Sequence, residues 1–155
     1  MDYSMFTQTT DYNKLIRDFD VLVNKMIDKN GIFVTIKPNV YRFKKYQVQK
    51  MNDNWVVTLN RKGRIITIGT TFLKISAFAV CKLHDKQWLR QVAIILENDE
   101  IYNKNSIDAG FFKNVVDNTK DFDKKSIAEC RFDITSNKAK RAKKLIKSYF
   151  ISTLD

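Results

Sequence analysis

Proline appears once (Pro38) and glycine four times in 155 residues, which excludes a collagenous, linker-rich or low-complexity chain. Two cysteines, Cys81 and Cys130, cannot staple a fold of this length. Reduced thiols in a cytoplasmic setting are the expectation. Histidine also occurs once, as His84, which removes His-based metal clusters and most histidine relay chemistry. No apolar run approaches the roughly 20 residues of a membrane-spanning helix, so no membrane partner is expected. Met1 to Thr10 shows neither the basic start nor the apolar core of a secretion signal. What remains is ordinary globular usage, 44% apolar and 29% charged, in a length suited to one domain.

Net charge is +11, and its distribution says more than its total. Residues 1–31 sum to −1, 32–96 to +10, 97–133 to −3 and 134–155 to +5. A surplus of that sign attracts polyanions such as nucleic acid, or an acidic protein surface. Codon bias in an AT-rich genome offers a second origin, since lysines outnumber arginines 21 to 7 and Asn and Ile are abundant. Scarce arginine also counts against base-specific reading, because the guanidinium is the better bidentate partner.

From Thr10 to Asn30 the apolar positions Tyr12, Leu15, Ile16, Phe19, Leu22, Val23, Met26 and Ile27 follow helical spacing, with Gly31 as a stop. The texture then turns to β-branched and aromatic residues broken by turn signals. Ile32–Lys37 reads as a strand ended by Pro38. Val40–Lys50 follows, its aromatic parity switching between Phe43 and Tyr46, which predicts a bulge or bend near Lys44–Lys45. Trp55–Leu59 alternates cleanly, and Asn60–Gly63 reads as a hairpin loop before the return strand Arg64–Gly69. Thr70 or Thr71 is the expected cap of a helix that is apolar on most of its circumference, Phe72 to Leu83. Trp88 to Leu96 continues helical spacing, Asn103–Ala109 reads as a connection, and Phe111 to Thr119 reads as a further helix. From Asp123 to Thr153 the length and helix formers favour one long helix, although Cys130, Phe132 and Ile134 also alternate as a strand would. The expected class is α+β: an N-terminal helix, a three- to four-stranded antiparallel meander and a helical C-terminal half. Residues 1–100 would form the core and 101–155 a helical extension.

The catalytic inventory is thin. No phosphate loop, dinucleotide fingerprint, zincin or serine-elbow pattern is present, and no cofactor or metal is expected. Cys81 sits on the most apolar helix and reads as buried and inert. Asp117, Asp121, Asp123 and Glu129 read as a solvated face and a helix cap before they read as a magnesium cluster. The chain is therefore expected not to be an enzyme.

Bases and aromatics interleave along the meander: Arg42, Lys44 and Lys45 among Tyr41, Phe43 and Tyr46, then Trp55, then Arg61, Lys62 and Arg64. Lys and Arg on a free sheet face would neutralise phosphates. The C-terminal stretch adds Lys138, Lys140, Arg141, Lys143, Lys144 and Lys147, a phosphate or acidic-partner contact or else a solvated helix face.

The run Trp55-Val56-Val57, then Gly63-Arg64-Ile65-Ile66-Thr67-Ile68-Gly69-Thr70, then a helix with Ala77-Phe78-Ala79, resembles the plant APETALA-type DNA-binding domain and related integrase arm-binding domains. That resemblance covers about 40 residues. It implies a sheet backed by a helix and reading the major groove, with Trp55 and Arg64 facing DNA and Lys45 nearby. The arginine-rich first strand of the plant domain is missing here. The order of helix, meander, alanine-bearing helix and basic closing helix before Tyr149 also looks like small proteins of marine tailed phages related to cyanophage myoviruses. That likeness implies a viral accessory or structural protein.

The sequence thus points first to a non-enzymatic basic protein that binds nucleic acid, DNA before RNA, mainly through phosphates. The residues expected to carry it are Arg42, Lys44, Lys45, Trp55, Arg61, Lys62, Arg64, Lys138, Lys140, Arg141 and Lys144. The alternative is a phage structural, assembly or host-interaction protein whose amphipathic helices meet other proteins, an acidic partner or further copies of the chain. Exposed Phe111, Phe112 and Val116 would mark that alternative.

Overall fold

A computed structural model of the chain describes residues 33–153. The helix predicted over Thr10–Asn30 lies outside the described residues. Five strands precede three helices: β1 (Val34–Lys37), β2 (Val40–Phe43), β3 (Tyr46–Met51), β4 (Asn54–Arg61), β5 (Arg64–Thr71), α1 (Lys74–Asp85), α2 (Leu89–Asn118) and α3 (Phe122–Ser152). The class is α+β, and the strands form one antiparallel meander in chain order, five rather than three or four.

The extra strand comes from Lys44–Lys45, which is a two-residue turn and not a bulge. Phe43 pairs directly with Tyr46, and Lys44 takes a left-handed φ of 52°. Residues flanking such a turn share a sheet face, so the parity switch seen in the sequence is the signature of a hairpin. At the β4–β5 turn Lys62 and Gly63 both have positive φ (53° and 84°), the twist that a two-residue hairpin favours. The irregularity lies further along β5. Gly69 pairs with Val57 and Thr67 with Thr58, leaving Ile68 as the extra residue.

The inner face of the sheet presents Phe43, Tyr46, Val48, Trp55, Val57 and Leu59 to α1. Every residue of α1 from Ile75 to Cys81 is buried, and so is Leu83. A helix apolar all round needs cover on two sides. The sheet supplies one, and Val92, Ile95, Ile146 and Phe150 of the α2–α3 hairpin supply the other. Burying each such aliphatic or aromatic side chain stabilises the fold by about 1.5–3 kcal/mol.

The start of α1 departs from the expected threonine cap. Its N-cap is Leu73, whose side chain cannot accept a hydrogen bond. Asp99 of α2, only 1% exposed, does the work from 26 residues away. Its two carboxylate oxygens accept the backbone N–H groups of Phe72 (2.7 Å) and Leu73 (3.1 Å). Thr71 instead donates its hydroxyl to the Leu73 carbonyl at 2.9 Å. Beside this clamp a Cβ added to Gly69 would lie 3.1 Å from Leu96 Cδ2, so the glycine lets α2 approach the sheet.

The connection expected at Asn103–Ala109 is helical, and α2 passes residues 100 and 101 without interruption. Asn98 and Asn105 donate to the carbonyls four residues earlier, both at 2.8 Å, so their side chains follow the helix. Helix α3 is continuous through Cys130, Phe132 and Ile134. Asp121 caps it by accepting from the N–H groups of Asp123 (3.0 Å) and Lys124 (3.3 Å). No helix among the described residues is long and apolar enough to cross a membrane.

Replacing Asp99 with Ala strands two part-buried N–H groups and should lower stability by about 1–3 kcal/mol. The change should be read as a shifted urea midpoint at an unchanged m-value. Thiol titration offers a second check. Cys81 is fully buried, and burial pushes its thiol well above the ordinary range, whereas Cys130 is exposed. One thiol should react in the native protein and two after unfolding.

Candidate nucleic-acid interface

A meander alternates its turns between two ends of the sheet, so the β2–β3 and β4–β5 turns fall side by side. The Asn60 N–H donates to the Lys45 carbonyl at 2.9 Å across that end. Lys44, Lys45, Arg61, Lys62 and Arg64 therefore gather at one sheet end, all exposed, although up to 20 residues separate them in the chain. From Phe33 to Leu73 the chain carries eight bases and one acid, and that acid, Asp53, lies in the turn at the opposite end. Asp85 at the end of α1 is the counter-ion, 2.8 Å from Lys44 Nζ.

The outer face of the sheet is mixed: Met51, Val56 and Ile65 stand on it among polar side chains, Ile65 67% exposed. Arg42, Gln47, Thr58 and Thr67 stand in one rung across four strands. Gln47 donates to Gln49 at 3.2 Å along the same face. Among the described residues the helices pack on the inner side, and the outer face forms an open groove of about 650 Å³. Arg42, Lys44, Lys45, Gln47, Asn60 and Lys62 are among the residues that line it. Gln47, Gln49, Thr58, Asn60 and Thr67 were not singled out in the sequence. Their signal is the polar half of the period-two alternation that marks the apolar face.

Trp55 needs correction. It is 8% exposed and on the inner face, with its ring centroid 6.3 Å from that of Tyr41. Its register partners Lys50 and Thr71 fix that side, so it is a core residue and does not face a partner. Lys74 lies over the same aromatic group, 4.5 Å from the Tyr41 ring centroid and 5.7 Å from that of Trp55, and donates to the Tyr41 hydroxyl at 2.8 Å. Arg64 is exposed at the basic end, opposite Arg61.

The C-terminal cations are not brought to this end. Helix α3 packs on α1 and α2, on the far side of α1 from the sheet. Lys138 and Arg141 line a separate groove of about 1050 Å³ with Glu97 and Glu100 of α2, while Lys140 and Lys144 are exposed on α3. A single footprint joining the meander with the closing helix is absent among the described residues.

His84 closes the basic end from within. Its Nδ1 lies 2.6 Å from the Tyr46 hydroxyl, and it lines a cleft of about 500 Å³ with Lys44, Lys45, Arg61 and Asp85. Burial, helped by the nearby Arg61, lowers the His84 pKa from 6.5. Burial also pushes Tyr46 up to about 12, with the Cys81 and Asp85 charges adding. Both shifts favour a phenol O–H donating to a neutral imidazole. Protonating His84 opposes folding, so stability should be full above about pH 6.5 and fall as the pH drops below it. Ionising Tyr46 also opposes folding, so stability should fall again as the pH rises from 10 towards about 12. Urea melts across pH should show both limbs, Tyr46→Phe shrinking the alkaline one, which the buried Cys81 thiol shares, and His84→Gln removing the acid one.

Comparison of the chain with protein-family models, with curated proteins and with solved structures finds no match, so the functional reading rests on this geometry.

Proposed function

We propose that the protein binds nucleic acid, duplex DNA first, through the outer face and basic end of its five-stranded sheet, without catalysing a reaction. The observation that carries the reading is the convergence of Lys44, Lys45, Arg61, Lys62 and Arg64 beside a sheet face that includes Arg42 and Gln47 and that no described helix covers. A B-DNA major groove about 12 Å wide admits a β-ribbon, and cations at the strand ends then reach the flanking phosphates. Amide and hydroxyl groups on the rung (Gln47, Gln49, Thr58) meet base edges, which with few arginines gives weak sequence preference.

The test is a fluorescence-anisotropy titration of duplex and single-stranded DNA across salt concentrations. The logarithm of affinity should fall linearly with log salt, with a slope of about 0.9 per phosphate contact on a duplex. Changing Lys45, Lys62 and Arg64 together to Ala should flatten that slope by roughly 2–3. Changing Lys140 and Lys144 to Ala should leave it unchanged. A salt-independent affinity, or a slope that follows the α3 lysines, rejects the reading.

The alternative, a protein–protein role for the helices, draws on Phe111, which is 62% exposed, although Phe112 and Val116 are half-buried. That exposure leads to the inference below.

A further inference from the structure

Helices α2 and α3 have 30 and 31 residues, each about 45 Å long, while α1 beneath them has 12, about 18 Å. The core therefore covers only one half of the hairpin. In that half lie Val92, Ile95, Ile146 and Phe150; beyond it the buried positions are alanines, Ala109 and Ala128, which let the two helices approach closely.

Large apolar side chains nevertheless continue along the uncovered half. Ile107 (63% exposed) and Phe111 (62%) on α2, with Ile127 (58%) and Ile134 (49%) on α3, lie at helical spacing. They extend the groove that Glu97, Glu100, Lys138, Arg141 and Leu145 line nearer the core. The contacts of Lys143 with the Tyr102 ring (5.8 Å) and Arg131 with the Phe112 ring (5.9 Å) set the register between the helices. In that register Glu100 stands within about one helical turn of Arg141, and Phe111 within about one turn of Ile134.

We propose that this face binds a second copy of the chain, two hairpins forming a four-helix bundle about a two-fold axis that runs along them. Such an axis lays α2 of one copy over α3 of the other at the same height. Glu100 then lies within about one turn of Arg141 of the other copy, and Ile107 and Phe111 within about one turn of Ile134. The face meets itself apolar to apolar and pairs Glu100 with Arg141, while Lys104 on the same lining stands level with Lys138 and Arg141. Among the described residues neither acid is in an ion pair. The area fits too. The four apolar residues and Leu145 leave roughly 550 Å² of side chain exposed, at the upper end of what a monomer ordinarily shows. With the flanking charged side chains the face reaches the ~800 Å² per partner of a standard interface.

The experiment is sedimentation equilibrium of the full chain without nucleic acid across micromolar concentrations, with circular dichroism as the check on folding. Wild type should be a dimer. Phe111→Glu with Ile134→Glu should be a monomer of unchanged helix content. Two surface charge reversals keep the test sharp if that variant unfolds. Glu97→Lys with Glu100→Lys, and separately Lys138→Glu with Arg141→Glu, should each weaken self-association at least tenfold. Mixed in equal amounts, the two should recover it as a heterodimer, because each basic α2 then meets an acidic α3. A wild-type monomer at every concentration overturns the proposal, as does a dimer that survives both reversals or a mixture that recovers nothing. A monomer whose hairpin face cross-links to residues 1–32 also overturns it and names the chain's own N-terminal stretch as the cover.

Discussion

Helix α1 has no face it can show to water. Seven consecutive residues, Ile75 to Cys81, are buried, so the helix is stable only with apolar surface on both sides. That requirement arranges everything else. It consumes the inner face of the sheet, leaves the outer face uncovered by any described helix, and pulls the near half of the α2–α3 hairpin onto the opposite side. The Asp99 carboxylate locks the arrangement at the point where the chain leaves β5. It caps the incoming helix from a residue that α2 brings back, so sheet, central helix and hairpin are tied through one buried acid. A carboxylate in that place keeps its position only because two N–H groups satisfy it.

The electrostatics follow from the topology. A meander of short strands with two-residue turns brings alternate turns together, and here both turns at one end are basic. Five exposed cations face one nearby acid, Asp85, a concentration of like charge that disfavours the fold by mutual repulsion and that a bound polyanion would relieve. The cations are held by backbone geometry, because Lys44 and Lys62 occupy positive-φ positions. Asn or Gly would ordinarily fill such sites, so lysine there costs local strain.

Much of this was legible in the residues. Alternation in Trp55–Leu59, the Asn60–Gly63 turn and the unbroken apolarity of Ile75–Leu83 pointed to the sheet and its covering helix, because those patterns are set by local periodicity. The long closing helix was legible for the same reason. What failed was non-local. The switch between Phe43 and Tyr46 fits a bulge or a hairpin equally well until the pairing partner of each strand is known. Trp55 carries an indole that suits either a core or a partner, and only its pairing with Lys50 and Thr71 decides. The Asp99 cap leaves no trace, since its acceptor and its donors are some 26 residues apart. Asn103–Ala109 misled because Asn is common in turns, yet its side chain can also bond back along a helix. In the candidate site, the basic residues of the meander were visible as a list, and their convergence was visible only in the order of the turns.

The two surfaces singled out here lie on opposite sides of α1, and their chemistry differs in kind. The sheet end carries five exposed cations against the single acid Asp85, so it would complement a polyanion under the proposed reading. The hairpin face carries Glu97 and Glu100 among Lys104, Lys138 and Arg141, with large exposed apolar side chains further along it, so its charge is mixed. Lys138 and Arg141 show the distinction. Counted along the chain they belong with the basic residues, but beside Glu97 and Glu100 they are half of a mixed-charge face. Net charge alone does not assign a cation to nucleic acid, and the sign of its neighbours does. Under both proposed readings, pairing through the hairpins would leave each sheet's outer face open. One assembly would then carry two basic ends, whose joint affinity depends on whether the hairpin spacing matches the ligand more than on any added contact.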